Sequence, residues 1–336
     1  MKRLAIVGLV LLLLVGIGAG GYYVKLDSAA NAPGSGSAEI EFEVPKGATA
    51  RGVGTLLEKN GLIESHTVWR YVVWKRGGVS LKAGKFKLSQ ALSPMDLAAA
   101  LEKPPLAEDE PFAVLEGWRI RDVDAALVAA GRSEAGAYIK AASSRVGYTV
   151  PFTLPDGVLE GYLYPETYML PKGRIDSHQL VQKQLDQFNA RVFTPLQNEL
   201  KGYKRSLHEI VTMASMLERE EPTPSNRPLV AGILWKRIDL GYPLGVDATS
   251  RYELPEWNDR SAFLVKLRDR DDPYNTRHKK GLPPTPIGAP TQASIEAALR
   301  PTESEFLYYL HDAQKQLHPS RNAEEHEALR KKYDVY

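Results

Sequence analysis

Ile210-Val-Thr-Met-Ala-Ser-Met-Leu-Glu-Arg-Glu-Glu221 is the stretch on which the reading of this chain turns. Ile210, Met213, Ala214 and Leu217 recur at helical spacing and Pro222 follows, so the segment reads as an amphipathic helix. At about 100° per residue, Ala214, Ser215 and Glu218 share one face, and Glu220 lies roughly opposite Glu218. A carboxyl group beside small and apolar neighbours is partly desolvated, which favours its protonated form. A general acid near neutral pH needs that property. Glu218 is therefore the candidate acid. The plainer alternative is a surface glutamate near a helix end, and the rest of the chain decides between them.

The 336 residues suggest two domains, since a domain commonly takes roughly 100–200. Lysine and arginine number 43 and acidic residues 41, a net charge of +2, which argues against nucleic acid as a partner. Met1-Lys2-Arg3 precedes an uncharged apolar run from Leu4 to Val24, enough for one membrane-spanning helix. Lys2 and Arg3 would stay in the cytoplasm, placing the remainder outside it. A cleaved signal peptide is the rival, but its apolar core is normally about 7–15 residues. No cysteine is present, so disulfides, thiolate metal sites and a cysteine nucleophile are excluded.

The expected organisation is α+β: an anchor over residues 1–26, a flexible linker over 27–38, one or two small α/β modules over 39–150, and a mixed catalytic domain over 151–336. Asp27 to Ser37 is small and polar, as a tether would be. Ile40, Phe42 and Val44 alternate with glutamates, the period of a half-buried strand. Val44-Pro-Lys-Gly47 with Arg51, Val53 and Leu57 returns about 70 residues later as Val114-Leu-Glu-Gly117 with Arg121, Val123 and Leu127. Both read as strand, glycine turn, helix. Trp69, Trp74 and Trp118 suit either core packing or stacking on sugar rings. Downstream, a helix over Leu229–Leu240 carries Arg237, Gly241–Asp247 reads as a turn and short strand, Phe306–Leu310 as a strand, and a last helix starts at Ala323.

Metal and cofactor signatures are missing. No His-Glu-x-x-His occurs, and His318 and His326 have no third ligand beside them. Gly16–Gly21 lies inside the apolar run and is no phosphate loop. What remains is acid chemistry on oxygen-rich groups, with Glu218, Asp247, Tyr274, Asn275 and Thr276 as its carriers.

Ala-Ser-Met-Leu-Glu-Arg-Glu220, Leu-Gly-Val-Asp247, Pro-Tyr-Asn-Thr276 and Gly-Leu-Pro-Pro-Thr-Pro-Ile287 follow Glu160-Gly-Tyr-Leu-Tyr-Pro-Glu-Thr-Tyr168 in that order. Together they resemble the MltG (YceG-like) family of endolytic murein transglycosylases. The resemblance implies cleavage of the MurNAc–GlcNAc β-1,4 bond within peptidoglycan strands, leaving 1,6-anhydro ends, without a cofactor. It implies a LysM-like module ahead of the catalytic domain, a periplasmic catalytic domain on a single-pass inner-membrane anchor, and synthases of nascent glycan strands as partners. It makes Glu218 the acid that protonates the leaving oxygen and then accepts the C6 hydroxyl proton, so no second carboxylate is required. Tyr274, Asn275 and Thr276 would line the substrate groove, Asn275 binding sugar amides, while Asp247, Glu220 and His318 would bind or support. Gly245, Val246 and Ala248 around the aspartate, Thr285, and Pro319-Ser320 after His318 depart from the family's usual residues. Two rivals remain: a non-catalytic glycan-binding scaffold, and a pyridoxal-phosphate lyase, which an outward-facing anchor disfavours.

Overall fold

The structure is a computed structural model that describes residues 2–106 and 109–335, with side chains from residue 13 onward. It divides into two compact units, Met1–Glu108 and Asp109–Tyr336.

The first unit runs α1 (Lys2–Asn31), β1 (Glu39–Val44), α2 (Ala50–Lys59), α3 (His66–Lys75), β2 (Gly84–Ser89) and α4 (Pro94–Leu101). Among the described residues no helix is long and apolar enough to cross a membrane. The anchor expected over 1–26 falls in large part on residues 1–12, whose side chains lie outside the described ones. The linker expected over 27–38 is partly helix instead. Asp27 accepts a hydrogen bond from Tyr71 Oη at 2.7 Å and pairs with Lys75, Ala30 is fully buried, and Tyr23 meets Tyr71 edge-on at 5.4 Å. These side-chain locks hold the last turns of α1 against α3, so the polar composition there did not mean freedom. β1 and β2 pair antiparallel with Phe42 opposite Phe86, and their inward residues close a small core over Leu57 and Trp69.

The second unit opens with β3 (Asp109–Ala113), α5 (Ile120–Ala129), α6 (Ala137–Ala142) and β4 (Thr167–Pro171). β3 and β4 pair antiparallel, Phe112 opposite Tyr168. The second copy of the repeat is thus strand–helix–helix–strand, as the first is. Its turn glycines also match: Gly47 and Gly117 take φ of 76° and 72°, and Gly61 and Gly131 both 67°. A boundary at residue 150 would cut this motif. Its return strand lies beyond 150, and Leu127 and Tyr138 belong to the same core as Ile210 and Leu217.

The unit continues with α7 (Ser177–Phe188), a π-helical turn, α8 (Thr194–Gly202), α9 (Leu207–Glu220), α10 (Arg227–Asp239), α11 (Asp247–Arg251), α12 (Arg260–Arg268), α13 (Gln292–Leu299), β5 (Tyr308–His311), β6 (Leu317–Ser320) and α14 (Ala323–Tyr333). α9 is the central helix. Ser206 Oγ accepts from Glu209 N at 3.2 Å while Glu209 Oε2 accepts from Ser206 N at 2.8 Å, a reciprocal cap. Residues 210–217 are all buried, so the helix is wrapped on every side along that run and not merely on one stripe. The strand expected before Asp247 reduces to a single bridge between Pro243 and Lys280, and Asp247 opens α11.

Candidate active site

The two glutamates near the end of α9 have different fates. Glu218 points to the packed side. Its side chain is 7% exposed, as is that of its partner Arg227 at the start of α10. Arg227 Nη2 donates to Oε1 at 3.0 Å and Nη1 to Oε2 at 3.3 Å. Thr291, the N-cap of α13, donates from its backbone N at 2.8 Å and from Oγ1 at 2.6 Å to Oε2. The apolar pocket expected around Glu218 is therefore a set of charged and polar donors. Such a carboxylate, charge-assisted and saturated, is a structural clamp. The same face carries Ser215, whose Oγ accepts from Ile287 N at 3.0 Å, so it is filled by the proline-rich segment.

Glu220 points the other way, into a cavity of about 490 Å³. Burial raises its pKa and the neighbouring Asp247 adds to that, while the Ala248 N–H opposes it by donating to Oε1 at 3.0 Å. Oε2 accepts no hydrogen bond among the described residues. This is an acid whose protonated form is favoured, with one oxygen held and the other open to the cavity. Asp247 and Arg277 form the floor beside it, Arg277 Nη2 and Nε donating to Asp247 Oδ1 at 2.6 and 2.9 Å. Across the cavity lie Tyr309 and His311 on β5. His311 Nε2 pairs at 2.9 Å with Glu221, which is wholly buried.

A larger cavity of about 660 Å³ is lined by Phe152, Tyr162, Phe193 and Leu200. Its acid, Asp156, is 90% exposed and paired with Arg145. Size gives way to chemistry here. The smaller cavity is the candidate active site.

The remaining expected site residues mostly build the walls. Asn275 is fully buried, and its Nδ2 donates to the carbonyls of Lys266, Leu267 and Asp269 at 3.1, 3.1 and 2.8 Å. It ties the end of α12 to the following loop and has no amide left for a sugar. Thr276 Oγ1 accepts from Val246 N at 3.0 Å and meets Thr249 Oγ1 at 3.1 Å, fixing the loop before Asp247. Tyr274 is 9% exposed, with its hydroxyl 2.9 Å from Thr285 Oγ1. His318 pairs with Asp312 at 2.9 Å and stacks on Tyr333 at 4.0 Å, away from the cavity lining. Of the expected set, the cavity gathers Glu220 and Asp247 only. Residues that sequence reasoning missed are Arg277, which directly follows the Tyr-Asn-Thr motif, His311, and the Arg227–Thr291 clamp. The helical wheel correctly put the two glutamates on opposite faces; what it lacked was which face is filled.

The fold is a two-unit α+β chain with a polar cleft that holds two acids, Glu220 and Asp247. The chain belongs to the YceG-like family, whose pattern matches residues 42–332. It is similar to a protein from Bacillus subtilis named endolytic murein transglycosylase, 27% identical over 310 residues, covering 88% of this chain and 84% of that one. A protein of the same name from Streptococcus pneumoniae serotype 2 is 25% identical over 338 residues, covering 91% of this chain. This chain spans 60% of the length of that pneumococcal relative. A crystal structure of a YceG-like protein from Listeria monocytogenes matches with a TM-score of 0.58 and 26% identity, covering 87% of this chain and 99% of the other.

Proposed function

We propose that this chain is an endolytic peptidoglycan lytic transglycosylase with Glu220, not Glu218, as its acid and base. The observation that carries the assignment is the contrast within α9: Glu220 is the enclosed carboxyl with a free oxygen in a cavity, whereas Glu218 has both oxygens taken. Protonated Glu220 donates to the glycosidic oxygen as the C1–O bond of the MurNAc residue breaks. The C6 hydroxyl of that sugar closes on C1, giving its proton back to Glu220 and leaving a 1,6-anhydro end. The Ala248 N–H keeps the carboxyl oriented through both transfers, and burial, followed by the nearby Asp247, raises its pKa. No metal or cofactor enters the scheme.

The apolar run behind Lys2 and Arg3 supports a single membrane anchor with the chain that follows it on the far side, in the periplasm, near the synthases that make nascent strands. The LysM-like reading of the first module rests on its strand–helix–helix–strand order. Because the chain has no cysteine, one introduced at residue 36 and probed with an impermeant maleimide in whole cells reports that topology directly.

The decisive assay digests purified peptidoglycan with the full-length chain and counts internal anhydro ends by mass spectrometry. Glu220→Gln is expected to lower their formation by at least about a hundredfold, the usual scale of a lost general acid. Glu218→Gln is expected to lower thermal stability, with activity surviving at temperatures where the variant stays folded. Activity surviving in Glu220→Gln and lost in folded Glu218→Gln would reverse the assignment. New reducing ends would mean a hydrolase, and strands bound but uncut would mean a scaffold.

A further inference from the structure

Among the described residues, the wall of the cavity carries one arginine with no acidic partner. Arg237, on α10, lines the cavity. Its Nε donates to the Pro243 carbonyl at 2.9 Å and Nη1 to the Leu307 carbonyl at 3.3 Å, and its guanidinium lies 5.2 Å from the Tyr308 ring centre. The other arginines of this wall are matched: Arg277 by Asp247 and Arg330 by Glu327. Arg237 has no carboxylate partner among the described residues. Burial lowers its pKa as it would for any guanidinium drawn from water without a counter-ion. A half-buried, uncompensated arginine is costly to keep, and facing a cavity it is a receptor for an anion. Next to it stands His326, whose pKa is lowered by burial and then by Arg330 and Arg237. Its neutral imidazole can donate to an acceptor without adding a second charge.

We infer that Arg237, with His326 beside it, forms an anion subsite that binds a carboxylate of the glycan strand and so sets which strands are cut. The inference rests on the proposed peptidoglycan substrate, and it adds that the enzyme reads the substituent on the sugar as well as the sugar. Two carboxylates have the required chemistry. One belongs to the stem peptide of a substituted strand; the other is the lactyl group left when the peptide has been removed. Arg237 is a specificity-determining residue in this scheme, while proton transfer stays with Glu220.

Binding tests it independently of cleavage. Full-length Glu220→Gln protein, unable to turn over, is titrated calorimetrically with solubilised peptidoglycan strands of three kinds. The first keeps its peptides with free carboxylates, the second has those carboxylates converted to methylamides, and the third is stripped of peptide to expose lactyl carboxylates. Loss of one charge-assisted pair is expected to weaken binding about tenfold or more. Tighter binding of the first strand over the second assigns the subsite to the peptide; tighter binding of the third assigns it to the lactyl group. Adding Arg237→Gln is expected to erase the preference, and Arg237→Lys to restore part of it. In the Glu220-intact enzyme, Arg237→Gln should raise KM on the preferred strand and leave kcat within about threefold. Equal affinity for all three strands, or a preference that survives Arg237→Gln, overturns the proposal. The first of these needs no variant at Arg237, so misfolding of a mutant cannot shelter the idea. A wild type that binds with the predicted preference yet cuts nothing would sink the transglycosylase reading and leave the subsite standing.

Discussion

The two copies of the strand–helix–helix–strand motif share a pattern and differ in how their helices are begun. In the first copy, Thr49 caps α2 with its own side chain, Oγ1 accepting from Gly52 N at 3.1 Å. In the second, Asp122 accepts from Arg119 N at 2.9 Å at the start of the corresponding helix α5, and the loop before β4 of the same copy adds a further acceptor. Glu160, 40 positions along the chain, accepts from Ile120 N with both oxygens at 3.2 Å and from Tyr252 Oη at 3.0 Å. The turns diverge likewise. A Cβ at Gly47 would meet open space, whereas one at Gly117 would come within 2.8 Å of Arg219 Cδ, and Gly117 N already donates to Ala289 O at 2.7 Å. The first copy is completed by its own residues. The second has become part of the framework around α9. Its ties to that framework are Tyr252, Ala289 and Arg219, all outside the copy.

That contrast can be broken by experiment. The largest effect is expected from the buried leucines that occupy the same place in each copy, Leu57 and Leu127, both without exposure. Either change to alanine should cost about 2–5 kcal/mol. Leu127→Ala should also reduce the formation of anhydro ends, since it shares a core with α9, while Leu57→Ala should leave the melting of the catalytic unit unchanged. Loss of activity on Leu57→Ala with no change on Leu127→Ala would reverse the comparison.

Next in size is a pH effect confined to the second copy. Burial pushes the Glu160 carboxyl up to about 7, against an ordinary 4.5. A carboxyl raised on folding stabilises most while protonated in both states. Stability is therefore full below about pH 4.5, declines as pH rises, and levels off above about 7. The size is on the order of 3 kcal/mol. Glu160→Gln should flatten that decline in chemical denaturation across the window. A slope that persists would place the titration elsewhere.

Gly117→Ala and Gly47→Ala come third. Both positions take positive φ, which costs an alanine about 1 kcal/mol. Only Gly117→Ala must also displace Arg219, so it should be the costlier by a further 1 kcal/mol or so. The smallest effect belongs to Thr49→Ala, about 1 kcal/mol from the lost cap, independent of pH and silent in the cleavage assay.

How much of this was legible beforehand follows the same division between local and borrowed structure. The alternation of Ile40, Phe42 and Val44, the Ser93-Pro94 helix start and the repeat itself are written in neighbouring residues, and the elements appear where those residues put them. The end of α1 was misread because its locks, Tyr71 and Lys75, are more than forty positions away. The same distance bears on the choice between the two glutamates of α9. Spacing along α9 separates Glu218 from Glu220, but Arg227, Thr291 and Ile287 decide which face is closed, and they arrive from three later segments. Asn275 illustrates the converse: a motif of polar residues suggests ligand contacts, yet its donors are spent on carbonyls at the end of α12 and just after it.

The clamp on Glu218 has a mechanical corollary. One carboxylate pins the end of α9 to the first turn of α10 and the cap of α13, so those three helices are riveted at a single point. A long polymer has to enter and leave the cavity two residues further on. The opposite rim is formed by the β5–β6 hairpin and α14, which carry Tyr309, His311 and His326. In the proposed scheme the reacting proton sits two residues beyond the rivet, on the clamped side of the cavity.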